Sequence, residues 1–275
     1  MVEIGIMMGC HKDTNFEEYF TEAKAMGITS CQLSMWDMDL YTDEYAERIL
    51  DAMKKVGFRA SLVWAGWTGP NEWNFYGGPS TLGLVPVALR EMRFEQLRKA
   101  SDFALKLGVT DIATHVGFLP EDPNHPDYTS LVPALRHYCN LLKSRGQNFL
   151  FETGQETPVT LLRCIEDIGT GNVFINFDTA NVILYGKGSA VGSVTMFGQY
   201  VRNTHIKDGF YPTNGRYLGT EVKVGTGLID LPEVVRILKE KGYTGPWTIE
   251  REIEGEQQKK DIAETVKYIH EVLGE

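Results

Sequence analysis

Short runs of β-branched and apolar residues alternate along the whole chain with longer stretches whose apolar positions recur every three or four residues. The short runs, at 3–8, 30–35, 59–64, 111–115, 148–152, 173–178, 202–205 and 247–250, predict eight strands. Between them lie helical patterns beginning near Asn15, Asp43, Val87, Thr129, Pro158, Gly188, Pro232 and Glu256. Local punctuation agrees: Asp230, Pro232 and Glu233 read as an N-cap, a first-turn proline and a capping-box glutamate. Gly27, Gly57, Gly108, Gly146 and Gly242 each fall just before a strand, where a residue without Cβ closes the preceding helix most easily. The repeated phrase of helix, glycine and strand predicts an α/β fold, a (β/α)8 TIM barrel in a single domain over 1–275.

Barrels of this kind are packed solid inside and collect their chemistry where the strands end. Five consecutive strand candidates deliver an ionisable side chain to that face: His115, Glu152 in FLFETG, Asp178 in INFDTAN, His205 in NTHIKDG and Glu250 in WTIERE. One such carboxylate would be solvated or paired with a lysine. Three converging carboxylates repel each other, and without a cation at least one is forced to protonate. A divalent metal held by Glu152, Asp178, His205 and Glu250 resolves the conflict. The set is hard and oxygen-rich, which favours Mn²⁺ or Mg²⁺ and leaves Co²⁺, Fe²⁺ and Zn²⁺ open. Such an ion has room for two adjacent substrate oxygens and acidifies a C–H beside a carbonyl.

Composition narrows the partners. A net charge of −10 argues against nucleic acid and anionic membrane surfaces, both of which draw affinity from clustered Lys and Arg. No stretch has the uninterrupted apolar length of a membrane span, and MVEIGIMMGC lacks the basic start of a signal peptide, so a cytoplasmic location is expected. Cys10, Cys31, Cys139 and Cys164 are scattered without a CxxC pair and read as free thiols.

The phrases ETGQET, FDTAN, HIKDG and TIERE, in that order and spacing, make the chain resemble the xylose-isomerase-like superfamily of sugar isomerases and epimerases, over nearly its whole length. It is most similar there to sugar phosphate isomerase/epimerase proteins and the ketose 3-epimerases. The resemblance implies a small-molecule sugar substrate and a metal at Glu152, Asp178, His205 and Glu250. It also implies that Glu152 and Glu250 move a proton off and onto the substrate carbon through an enediolate. Glu156 is the nearest counterpart of the epimerases' second glutamate, and Asn181 stands where they carry a histidine. Their sugar-binding arginine has no aligned partner, which leaves Arg216 in the long loop as the candidate.

Further residues have two readings each. Lys207 and Asp208 contact sugar oxygens or form a surface ion pair. His115 bonds substrate or a ligand carboxylate, or sits satisfied in the core. Trp36 and Trp64 wall the pocket or roof the core. The connection 65–86 carries Trp67, Trp73, Phe75 and Tyr76 and reads as a carbohydrate platform, as the contact of a homodimer or homotetramer, or as a cover over the barrel mouth. Gly225–Gly227 offers backbone N–H groups to a phosphate or makes a tight turn. The competing functions are a keto-sugar dehydratase or lyase on the same scaffold, phosphodiester cleavage as in the endonuclease IV branch, and a non-catalytic sugar-binding barrel.

Overall fold

The computed structural model describes residues 2–274. Strands β1 (Ile4–Gly9), β2 (Ser30–Met35), β3 (Arg59–Ala65), β4 (Asp111–Thr114), β5 (Asn148–Glu152), β6 (Val173–Asp178) and β7 (Val201–His205) pair in that order, each pair parallel. After β7 the chain makes an antiparallel ribbon, β8 (Asp208–Phe210) with β9 (Thr220–Val222), which the sequence pattern did not reveal. β10 (Trp247–Ile249) then lies parallel to β1, and the ring closes on β7 through a bridge between Ile206 and Ile249. The result is a TIM barrel.

Its outer ring is α1 (Phe16–Ala25), α2 (Asp43–Val56), α4 (Val87–Leu107), α5 (Pro126–Ser144), α6 (Pro158–Ile168), α8 (Ala190–Phe197), α9 (Leu231–Glu240) and α10 (Glu256–Leu273). Two single-turn helices, α3 (Gly78–Thr81) and α7 (Asn181–Leu184), follow β3 and β6. The expected N-cap and C-caps are present, with Asp230 accepting from the Glu233 N–H at 3.1 Å and the five helix-closing glycines all at positive φ, but the Glu233 carboxylate pairs with Arg236 instead of closing a capping box. α5 starts three residues earlier than the pattern implied, with His125 and Asp127 around Pro126 opening the helix.

Residues of a strand alternate between two surroundings. One set, with the helices, forms the main apolar core; Leu62, Trp64, Ala113 and Leu150, with Met7 and Phe174, form a second cluster inside the ring. Glu152 shares the face of Leu150, and Asp178 that of Phe174 and Asn176, so the same alternation that fills the barrel turns these carboxylates inward. A strand-end acid one position earlier would point at the helices instead.

The connection 66–86 is held from beneath by two buried arginines of α4. Arg93 donates to the carbonyls of Thr81, Gly83 and Pro70 at 2.7, 2.6 and 2.9 Å and lies over the Trp67 ring. Arg90 donates to those of Leu84 and Val85, both at 2.7 Å. Loop carbonyls that a buried segment would otherwise leave unpaired are thereby satisfied.

Candidate active site

Glu152 ends β5, Asp178 ends β6, His205 ends β7, and Glu250 lies one residue past β10. His205 Nδ1 is 3.0 Å from Glu152 Oε1, 3.3 Å from Glu250 Oε2 and 3.8 Å from Asp178 Oδ2. Four side chains from Glu152 to Glu250, on four different strand ends, therefore surround one point. Glu152, Asp178 and His205 are buried, each offering a ligand atom within 4.8 Å of the other two, a geometry that fits a metal ion. Glu250 stands beside this triad with a partly open side chain.

The donor atoms themselves supply the test of fit. Glu152 Oε1, Asp178 Oδ2 and His205 Nδ1 are buried with no hydrogen-bond partner outside their own cluster, although each residue's other polar atom is engaged. Asp178 Oδ1 accepts from Ala180 N at 2.8 Å and Asn181 N at 2.7 Å, Glu152 Oε2 accepts from Asn176 Nδ2, and His205 Nε2 lies 2.8 Å from Gln32 Oε1. Buried polar atoms are ordinarily satisfied, so three orphans turned to one place suit a shared cation.

The electrostatics agree. Burial, only partly opposed by His205, raises the Glu152 pKa above the ordinary carboxylate range, and burial raises that of Asp178 well above it despite Lys207. Burial acts on Glu250 in the same sense, but Lys207 and His205 outweigh it and hold its pKa well below the usual value. His205 is pushed well above its ordinary value, because Glu152 and Glu250 overcome the burial that disfavours its charge.

Lys207 changes the charge argument drawn from sequence. It is buried, with Nζ 3.0 Å from Glu250, 2.8 Å from Glu252 and 3.7 Å from Asp178. One of the positive charges that the converging carboxylates require thus comes from the protein, and a metal need not neutralise them alone. The surface ion pair of Lys207 with Asp208 is not what forms. Asp208 turns away and accepts from the N–H groups of Gly225, Gly227 and Ile229 at 3.0, 2.8 and 3.1 Å. The two glycine amides of GTG are therefore occupied by a carboxylate of the chain, and that of Thr226 by the Lys223 carbonyl, so none is available to a phosphate. A Cβ on Gly227 would lie 2.2 Å from Asp208 Oδ1, which explains glycine there.

A cavity of about 440 Å³ opens over the carboxylates, lined by Glu152, His205, Glu250, His115, Asn181 and Trp36 among others. Trp36, Trp64 and Trp73 form an aromatic wall, with centroids 5.2 Å apart for Trp36–Trp64 and 6.3 Å for Trp36–Trp73, and Trp67 behind. Gly66 permits this packing, since a Cβ there would come within 2.5 Å of the Trp36 ring. His115 meets the edges of Trp64 and Trp73. Burial pushes its pKa down to about 4, so it faces the cavity as a neutral hydrogen-bonding group.

Glu156 and Arg216 are placed apart from the cavity lining. Arg216 is exposed and lies over the Tyr76 ring, while its carbonyl accepts from Phe75 N at 3.1 Å, tying the β3 and β7 connections together. Glu156 is buried, with its pKa pushed up by burial to about 8. A folded-state value above the unfolded one means that its favourable contribution is complete below the ordinary carboxylate range and is lost as pH climbs through about 8. Glu156→Gln is therefore expected to stabilise the protein at pH 8.5, by about 1.4 kcal/mol for every tenfold by which burial tightens the carboxylate's hold on its proton, and to change little at pH 4.5. Urea unfolding at the two pH values checks this; equal gains at both would show that Glu156 ionisation costs the fold nothing.

Sequence reasoning missed Gln32, Asn176, Glu252, Tyr185 and Leu218, whereas Trp73, read there as part of a carbohydrate platform, does line the cavity. Only Glu252 carried a signal: it lies two residues beyond Glu250, on the same side of an extended chain.

The sequence pattern of the xylose isomerase-like TIM barrel family matches residues 20–272. The chain belongs to that family. Its structure is similar to a xylose isomerase domain protein from Planctomyces limnophilus, with 32% identity, 98% of this chain and 97% of the other covered, and a TM-score of 0.90. A xylose isomerase-like TIM barrel protein from Mycobacterium smegmatis, solved in complex with magnesium, covers 99% and 97% at 19% identity and a TM-score of 0.73. D-allulose 3-epimerase from Methylomonas sp. covers 98% of each chain at 17% identity and a TM-score of 0.74. These last two share the barrel, as does a probable 3-DHS dehydratase from Bacillus anthracis.

Proposed function

We propose that the protein is a divalent-metal-dependent sugar isomerase or epimerase, working by proton transfer between Glu152, Glu250 and a carbon of the substrate. The observation that carries this reading is that both carboxylates line one cavity while approaching the same imidazole nitrogen. Epimerases among proteins of the same fold support it.

Glu152, Asp178, His205 and Glu250 would hold the ion, and a Mn²⁺ or Mg²⁺ ion suits three carboxylates and one imidazole. The bound ion would supply Lewis-acid polarisation of a substrate carbonyl, which acidifies the neighbouring C–H. Glu152 and Glu250 then take a proton and return one, each within the cavity and each already fixed by a partner, Asn176 or Lys207. Lys207 keeps Glu250 ionised and in place. His115 and Asn181 are positioned to bond hydroxyl groups, and the tryptophans to cover the apolar face of a sugar. The cavity lining has Glu152, Glu250 and Glu252 and no Lys or Arg, so we read the substrate as an uncharged sugar rather than a phosphorylated one.

Incubating Mn²⁺-loaded protein in D₂O with a panel of free ketoses and their phosphates tests the reading. The expected result is deuterium beside the carbonyl of a free ketose, in a product isomeric with the substrate. Loss of water would transfer the protein to the dehydratase reading, and absence of exchange from every sugar would remove proton transfer altogether.

A further inference from the structure

Below the ring of carboxylates the barrel interior contains three buried amides, Gln32 on β2, Asn176 on β6 and Asn203 on β7. Their orientations follow from one backbone residue. Thr204 N–H donates to Asn203 Oδ1 at 3.0 Å, so that atom is the amide oxygen. The Gln32 atom 2.9 Å from it also lies 3.2 Å from the Thr204 carbonyl oxygen, and between two acceptors it is the donor, Nε2. Gln32 Oε1 is thereby turned to His205 Nε2, 2.8 Å away. An amide oxygen pairs with that nitrogen only when the nitrogen carries the proton, which leaves the lone pair of a neutral His205 on Nδ1. Nδ1 is the atom that faces Glu152, Asp178 and Glu250.

The same glutamine reaches a second carboxylate neighbour. Gln32 Nε2 donates to Asn176 Oδ1 at 2.9 Å, so the Asn176 NH₂ is turned to Glu152 Oε2 and to Gln32 Oε1. Glu152 Oε1 is left as the oxygen that faces only His205 Nδ1 and the proposed ion. The Asn176 NH₂ also lies 3.2 Å from His205 Nε2, but the shorter 2.8 Å approach of Gln32 Oε1 places the proton on that nitrogen, so the assignments run from the Thr204 backbone to two of the four groups around the proposed metal.

We propose that Gln32 is a positioning residue of this site, selecting Nδ1 of His205 and, through Asn176, Oε1 of Glu152 as the atoms presented to the ion. This rests on the metal-site reading above. Outer partners of metal-binding side chains commonly set affinity in this way.

Gln32→Met keeps the length of the side chain and removes its oxygen. Gln32→Glu, as a buried carboxylic acid, still presents a carbonyl oxygen to His205 and one O–H to Asn203 Oδ1, although Asn176 Oδ1 then loses the donor that the second amide hydrogen supplies. Zn²⁺ affinity, measured by competition with a chelating dye, is expected to fall about 10- to 100-fold in Gln32→Met and to be largely retained in Gln32→Glu. Nitrogen-15 NMR of zinc-loaded, histidine-labelled protein should show a His205 Nε2–H sheltered from exchange in wild type and Gln32→Glu, and lost in Gln32→Met.

Wild-type affinity in Gln32→Met, or equal weakening in both variants, overturns the role of Gln32 and leaves the metal reading standing. So does a wild-type spectrum with the His205 proton on Nδ1, which decides the matter even if Gln32→Met does not fold. A wild-type protein that binds no Zn²⁺ removes the metal reading itself and this inference with it.

Discussion

Glu250→Gln is expected to lower solvent deuterium incorporation into a ketose substrate by on the order of 10²- to 10⁴-fold, the range typical of losing a positioned acid–base group. The substitution is isosteric, so the barrel and the aromatic wall should remain. Lys207 loses its 3.0 Å carboxylate partner but keeps Glu252 at 2.8 Å and Asp178 at 3.7 Å, which preserves its burial as a paired cation. Deuterium content by mass spectrometry gives the rate, and metal content of the same sample separates lost chemistry from a lost ion. A variant that retains its metal and more than a tenth of the exchange rate would mean that Glu250 does not carry the proton.

The second large effect is on stability. An ion that binds only the folded chain stabilises it by about 2.7 kcal/mol at a hundred times its dissociation constant. For a chain of this size each kcal/mol moves Tm by roughly 2–4 °C, so chelation should lower Tm by roughly 5–10 °C and re-addition should restore it. Asp178→Asn is expected to abolish that increment while leaving the fold: its oxygen can still accept from Ala180 N and Asn181 N, and the amide NH₂ replaces the unpartnered Oδ2.

The increment should also be larger in buffer at pH 8 than at pH 5. Glu152, Asp178 and His205 all have raised pKa values, so at lower pH protons compete with the ion, and metal uptake releases them. The sign for the chelated protein is opposite: raised values mean that the fold holds protons the unfolded chain gives up, and its stability from these groups declines as pH rises. Scanning calorimetry with and without metal at both pH values measures the difference. An increment that shrinks with pH, or survives in Asp178→Asn, would place the ion elsewhere.

The parts of this arrangement visible in sequence are those with a period. Strand and helix alternate eight times, and Glu152, Asp178 and His205 end their strands, so both barrel and convergence were legible. Gln32 was not, because an amide in the middle of an apolar run reads as an interruption of the core, and only the folded chain shows it facing Asn176 and Asn203 from 144 and 171 positions away. Asp208 misled for a related reason. Its neighbours in sequence include Lys207, yet its partners are backbone amides at Gly225, Gly227 and Ile229, groups that every residue but proline carries and no pattern marks. Glu250 was legible as a strand end, but its commitment to a buried lysine depends on side-chain direction, which alternation gives only once the register is known.

The grip of α4 on the connection before it bears on the order in which the molecule is made. Four of the five tryptophans precede residue 86, but the loop that carries Trp67 and Trp73 is clasped by Arg90 and Arg93, which come later in the chain. A nascent polypeptide that has already emitted every residue of the aromatic wall cannot yet shape it, and must wait for a helix to emerge and dock. The floor on which a sugar would rest is thus finished by side chains that never meet the sugar, and damage to α4 should surface first as a misshapen mouth rather than as a broken barrel.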